Sequence, residues 1–190
     1  MKISGGLEKG RQTATKRLFS KLLKGRELRP TTSKVREALF DIIMKKIEGA
    51  VFVDLYAGTG TVGLEALSRG ASKAIFVEPD DLLVKTIKKN IDEFGFQKRA
   101  FVFKGKAYEF LVRSSEEKDS FDIFFLDPPY HSKEIDKILP IIGEKRLLKE
   151  GGIVIVENYF KKEMPEKASN LMKKKSYRYG DTMLTIYRNL

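Results

Sequence analysis

Hydrophobic positions along the chain follow two periods. Val35, Leu39, Ile42, Ile43 and Ile47 fall at helical spacing, with Pro30 and Thr31 to Ser33 ahead of them as start signals and Gly49 behind as a stop. AVFVDL, KAIFVEP, AFVFKG, FDIFFLDPPY and GGIVIVEN are short, nearly continuous apolar runs and predict strands. Between them, TVGLEALSRG, DLLVKTIKKNIDEFG, AYEFLVRS and KEIDKILPIIG read as helices. In the second of these, Leu83, Ile87, Ile91 and Phe94 share a face and Gly95 caps the end. Strands apolar on both faces, alternating with helices, predict an α/β fold with a mostly parallel sheet covered on both sides. SYRYGDTMLTIYRN shows two β-rich runs around Gly180 and Asp181, a C-terminal antiparallel hairpin added to the sheet edge, for an expected seven strands. SSEEKDS reads as a polar loop, and the Lys-rich stretch from Phe160 to Lys175 carries no assignable period.

Composition narrows the chemistry. A chain of 190 residues with 42% hydrophobic residues suits one domain with a real core. It has no cysteine, so disulfides, zinc fingers and thiol nucleophiles are excluded, and its one histidine, His131, cannot build a multi-histidine metal site. No metal is expected. The start MKISGGLEKGR lacks an apolar leader, and no run approaches the roughly 18 apolar residues that span a bilayer. The expectation is a cytoplasmic monomer with no membrane association.

Charge is unevenly placed. Residues 1–36 hold 11 Lys and Arg against two Glu, whereas residues 37–190 hold 26 against 24 Asp and Glu. The reading is a basic N-terminal arm over 1–36 and a catalytic domain over 37–190. An arm of net charge +9 suits a phosphate backbone, since each neutralised phosphate releases counterions. Arg11, Lys16, Arg17, Lys21, Lys24, Arg26, Arg29, Lys34 and Arg36 are the candidate RNA contacts. A solvated tail is the plainer alternative.

VDLYAGTGTVGLEAL places Gly58, Gly60 and Gly63 between a strand and a helix, with Glu78 twenty residues beyond Gly58 at the end of the next strand. Glycines let the backbone approach an adenosine cofactor, the helix start supplies free N–H groups, and the second acid accepts from ribose hydroxyls. Asp54 and Glu65 disfavour a pyrophosphate, while Asp54 suits the ammonium and sulfonium of a methionine moiety. That moves the reading from NAD toward S-adenosylmethionine, although an NAD-linked oxidoreductase stays open on the glycines alone. Asp54, Tyr56, Ala57, Gly58, Thr59, Gly60, Glu78, Pro79, Lys106 and Ala107 are the candidate cofactor residues.

FLDPPYH follows the fourth strand. A turn explains Pro128 and Pro129 but gives no task to Asp127 or Tyr130. Chemistry on an exocyclic amine does. Hydrogen bonds from the two amine N–H groups to the Asp127 carboxylate and Pro128 carbonyl oppose delocalisation of the nitrogen lone pair into the ring. The prolines stiffen the loop, and Tyr130 offers a stacking face. Asp127, Pro128, Pro129 and Tyr130 are the candidate catalytic residues, and His131 reads as a loop residue or substrate contact.

The motifs MKISGG, RPTTSKVREALFDII, DLYAGTGTVGLEALSRGA, FVEPD, FDIFFLDPPY, GGIVIVE and YGDTMLTIYR together resemble the RsmD-type family of 16S ribosomal RNA guanine-N2 methyltransferases over nearly the whole chain. The resemblance implies a Rossmann-like class I methyltransferase, S-adenosylmethionine as donor, and N2 of a guanine in ribosomal RNA or the small ribosomal subunit as acceptor. The family commonly places an acid after the glycine that ends the third strand, where this chain has Lys106. A DNA adenine methyltransferase or an enzyme on another RNA, a protein glutamine methyltransferase and a noncatalytic RNA-binding module are the other readings. The first usually needs a larger target-recognition insert, and the glutamine enzymes place Asn before the prolines.

Overall fold

The computed structural model describes residues 2–13, 32–129 and 132–190. Thr32 accepts a hydrogen bond from Val35 N–H at 3.3 Å and opens α1 (Ser33–Ile43), which buries Val35, Leu39, Phe40 and Ile43. The alternation predicted by the apolar runs then follows: β1 (Val51–Asp54), α2 (Thr61–Ser68), β2 (Lys73–Glu78), α3 (Asp81–Phe94), β3 (Ala100–Lys104), α4 (Ala107–Glu116), β4 (Phe121–Leu126), α5 (Glu134–Glu144) and β5 (Leu148–Tyr159). Asp80 caps α3 by accepting from Leu82 and Leu83 N–H, and Gly95 closes it with φ at 72°. α4 runs into the stretch expected to be a loop, and Pro140 lies inside α5.

The sheet has eight strands, in the order β3-β2-β1-β4-β5-β8-β7-β6, one more than expected. β1 to β5 are parallel to one another. β8 (Thr182–Asn189) runs antiparallel to β5 and to β7 (Leu171–Tyr179), and the two-residue β6 (Lys167–Ala168) closes that edge. The extra strand comes from the Lys-rich stretch. Lysines on an outer strand hide its β character in the sequence while guarding the open edge against pairing with another chain.

Both sheet faces are buried, as the unbroken apolar strands require. Val53, Phe124, Val154 and Tyr187 pack on one face with α4 and α5, and Phe52, Phe125, Ile155 and Leu184 on the other with α1. Residues 2–13, assigned by charge to the arm, belong to this body. Ile3 is buried against Leu64, Leu67 and Phe76, and Lys2 pairs with Gln12. Among the described residues, no helix is long and apolar enough to cross a membrane, and no group of acids and histidine could hold a metal ion.

Candidate cofactor and catalytic site

The chain visits β1, β2 and β3 on one side, then crosses to place β4 on the other side of β1. Strand order therefore reverses between β1 and β4, and a crevice opens beyond their carboxyl ends where open α/β sheets bind ligands. Asp54 pairs with Phe125, so the exit of β1 lies beside the exit of β4, with Asp127 two residues on.

The glycine loop fills one wall. Gly58 and Gly60 take φ of 55° and 77°, which a side chain rarely adopts. Gly63 serves another purpose: a Cβ there would meet the Phe76 ring at 2.3 Å, so only glycine lets α2 lie this close to β2. Ala57 N–H donates to Val77 O, Leu55 N–H to Phe125 O and Asn90 Nδ2 to Thr59 O, pinning the loop to both neighbouring strands and to α3. Open space faces Gly58.

Two acids flank this loop. Asp54 is 1% exposed and receives the Tyr56 and Gly63 backbone N–H groups, yet its Oδ1 has no hydrogen-bond partner among the described residues. Burial first, then the nearby Asp127, push its carboxyl up to about 8. Glu78 accepts from Gly58 N–H through Oε2 and from Asp80 N–H through Oε1, both at 2.9 Å. Burial raises its pKa, against those two bonds. A buried acid with an orphaned oxygen and a second acid at the next strand end fit S-adenosylmethionine: Asp54 would meet the ammonium and Glu78 the ribose hydroxyls. They do not fit a pyrophosphate. Glu65, read from sequence as a second obstacle to phosphates, lies elsewhere. It is fully buried, pairs with Arg36 at 2.6 Å and Arg69 at 2.9 Å, and accepts from Ser4 Oγ.

Pro79 is exposed at the exit of β2. Lys106 and Ala107 open α4, where Gly105 N–H donates to Glu78 O. Lys106 N–H donates to Glu109 Oε2, and that carboxylate lies against Gly105. An acid thus stands at the exit of β3 after all, contributed from one helical turn further on. Glutamate three residues into a helix is the signal that would have found it.

The candidate catalytic wall follows β4. Asp127 is half-buried, Pro128 buried and Pro129 exposed, and Pro129 O accepts from Ser132 N–H. Tyr130 and His131 lie outside the described residues. Tyr56 Oη donates to Glu134 Oε2, joining the glycine loop to the start of α5. β5 carries a further acid to this edge: Val156 pairs with Leu126, so Glu157, 4% exposed, follows beside the strand that leads to Asp127. Sequence reasoning passed over it because a polar residue ending an apolar run is ordinary. The cleft of about 580 Å³ lined by Ile135, Leu139, Met164 and Pro165 adjoins α5 and is not formed by the glycine loop.

Of the candidate RNA contacts, Lys34 is exposed on α1. Lys16, Arg17, Lys21, Lys24, Arg26 and Arg29 lie outside the described residues. Arg36 departs from the expectation, whereas Arg11 is exposed but also has partners within the domain. Arg36 is buried on Glu65 and donates through Nη2 to Lys2 O, while Arg11 pairs with Glu8, donates to Glu93 O and lies 4.5 Å over the Phe94 ring. Both cations hold the N-terminal segment to the domain.

This sheet with its glycine loop and strand-end acids is a class I methyltransferase fold. The solved structure of yhhF from Escherichia coli superposes with a TM-score of 0.81 over 100% of this chain and 97% of that one, at 27% identity. The chain belongs to the family described as Conserved hypothetical protein 95, whose model matches residues 1–188. That is the RsmD-type family of the sequence resemblance. It is 34% identical to YlbH of Bacillus subtilis (strain 168) over 99% of this chain and 98% of that protein. It is 32% identical to the "Ribosomal RNA small subunit methyltransferase D" of Haemophilus influenzae over 83% of this chain and 78% of that protein.

Proposed function

We propose that the chain is an S-adenosylmethionine-dependent ribosomal RNA methyltransferase whose acceptor is the exocyclic N2 amine of a guanine. The observation that carries this reading is the β1–β4 pairing, which sets Asp127 and Pro128 against the crevice bounded by Asp54, Gly58 and Glu78. The names of its relatives supply the substrate class.

Each group has a defined task. Asp54 and Glu78 hold the two ends of the cofactor, and Glu109 offers the adenine amine an acceptor that Lys106 cannot. When bound, S-adenosylmethionine supplies an electrophilic methyl group. Asp127 accepts one amine hydrogen and the Pro128 carbonyl the other, which frees the nitrogen lone pair from the ring and aims it. The proline pair fixes those acceptors before substrate arrives, and preorganised acceptors in a dry site carry much of a rate enhancement. Tyr130 supplies the stacking face, and the cations of the segment 14–31, with Lys34, meet phosphate. The protein acts as a cytoplasmic monomer on the RNA or on the assembled small subunit.

The test is transfer of tritiated methyl from the donor to purified small ribosomal subunits and to naked 16S RNA, followed by nucleoside analysis. Label in N2-methylguanosine is the expected result. Label in N6-methyladenosine would assign the amine to another base, and tight NAD binding without response to the donor would remove the reading altogether.

A further inference from the structure

The basic excess assigned to the N-terminus has a second centre. Residues 160–179 carry seven Lys and Arg against two Glu. Two physical roles must be separated there. Lys173 to Lys175 lie on the outer strand β7, where cations protect an open edge, and Lys173 is already paired with Glu166. They need no ligand to explain them. Arg178 is different.

Arg178 lies at the far end of β7, and β7 is antiparallel to β8, which is antiparallel to β5. The turn at Gly180 and Asp181 therefore returns the chain to the carboxyl edge of the parallel strands, the edge that holds Asp54, Glu78 and Asp127. Phe160, just past the end of β5, donates its backbone N–H to Asp181 O at 2.9 Å and is fastened to this turn. The Arg178 guanidinium lies 3.9 Å over the Phe160 ring, its Nε donates to Gly180 O at 2.9 Å, and the Phe160 ring is braced by Tyr159 at 4.9 Å. Arg178 is exposed, and its Nη atoms make no hydrogen bond among the described residues. Lys161 is exposed beside it, 5.7 Å from the same ring. Lys162 pairs with Asp136 on α5, which ties this segment to the helix that follows the catalytic loop.

A guanidinium held 3.9 Å over an aromatic ring and exposed to solvent offers a stacking surface for a nucleobase, and arginine planes stack on unpaired bases in RNA recognition. β7 is three strands from β4, about 14 Å at about 4.8 Å per strand, a reach covered by nucleotides adjoining one held at Asp127. We propose that Phe160 and Arg178 form a platform on which an unpaired base next to the target nucleotide stacks, with Lys161 on the adjoining phosphate. This rests on the RNA-methyltransferase reading above, and it gives the substrate a second hold, independent of the N-terminal arm and specific for single-stranded RNA.

The experiment measures anisotropy of a labelled single-stranded RNA 12-mer containing one guanine, and of the same sequence as a blunt duplex, with donor binding by calorimetry and melting temperature as controls. Arg178→Ala should weaken single-strand binding about five- to a hundredfold, the range for loss of one stacking partner, and leave duplex and donor binding unchanged. Arg178→Lys keeps the charge but not the plane and should remain close to Arg178→Ala. Lys161→Ala should instead lower the log–log salt slope by somewhat under one unit. Phe160→Leu, which keeps an apolar filler under the guanidinium, should show part of the Arg178→Ala loss. Single-strand affinity within twofold of the parent in Arg178→Ala, or full recovery in Arg178→Lys, overturns the platform while RNA binding by the parent stands. A parent that binds donor but not the 12-mer also overturns the platform, and one that in addition transfers no methyl to small subunits or to 16S RNA overturns the reading beneath it.

Discussion

Tyr56 donates its hydroxyl to Glu134 across 3.2 Å, linking the exit of β1 to the first turn of the helix that follows Asp127. Burial first, then the neighbouring Glu134, raise the phenol pKa, so the hydroxyl remains a donor at any working pH. Tyr56→Phe should cost about 1 kcal/mol of stability, the usual net value of one such bond, and loosen the catalytic loop. A several-fold fall in turnover with donor affinity intact is the expected pattern. Glu134→Gln, which keeps an acceptor, should stay near the parent. A kinetic comparison of the two variants decides whether the link matters.

Asp54 predicts a pH effect with a definite sign. Its carboxyl moves from 3.8 to about 8 on folding, so the empty protein holds a proton there that the unfolded chain releases. Stability from this group is fully present below about pH 4 and is lost as pH rises toward 8. Asp54→Asn should flatten that part of the stability curve and gain stability above pH 8. A cationic donor lowers the raised value, so binding near neutral pH should release up to one proton, shrinking to none well above pH 8. Calorimetry in two buffers of different ionisation enthalpy reads this directly, and Asp54→Asn should abolish it.

Glu78→Gln keeps one oxygen for backbone N–H groups but loses the charge that favours hydroxyl donors. Donor binding should fall by about 1–3 kcal/mol, and the melting temperature should fall modestly because the new amide nitrogen faces one of the two N–H groups. An unchanged dissociation constant would place the ribose elsewhere.

Asp127→Ala should retain the fold and donor binding while turnover drops by about 10²–10³, the scale for losing one preorganised group in a site. Asp127→Asn should fall between, because it keeps an acceptor oxygen without the charge. Equal turnover in Asp127→Ala and parent would reduce this acid to a polar strand end.

Gly63→Ala tests packing alone. The added methyl meets a fully buried phenylalanine ring, which has no room to swing aside. A stability loss of about 1–3 kcal/mol, typical of an overpacked core, should appear in chemical denaturation.

The legible parts of this chain are those where backbone physics allows few choices. Five parallel strands announced themselves because strands buried on both faces are apolar throughout, and the glycine loop because its positive φ favours glycine; once the strand ends were read, the positions of Asp54, Glu78 and Asp127 at or just beyond them followed. β5 begins at Leu148, ahead of GGIVIVEN, since Lys149 to Gly151 break its apolar run. β6 and the first half of β7 were hidden by the polarity of an outer strand. Arg36 was misread for a related reason. Local sequence cannot tell an outward cation from an inward one when the partner, Glu65, is 29 residues away.

That buried carboxylate has a mechanical consequence. Glu65 belongs to the helix that starts at the glycine loop, and it is shared by Arg36 on α1 and by Ser4 in the N-terminal turn. Drawing Arg36 away would strip the buried carboxylate of one of its two arginine partners, and drawing Ser4 away would remove a hydroxyl donor from it. The N-terminal turn and α1, the described segments on either side of residues 14–31, thus share one carboxylate on the helix that leaves the glycine loop. A pull on either flank is felt at the loop whose backbone lines the crevice.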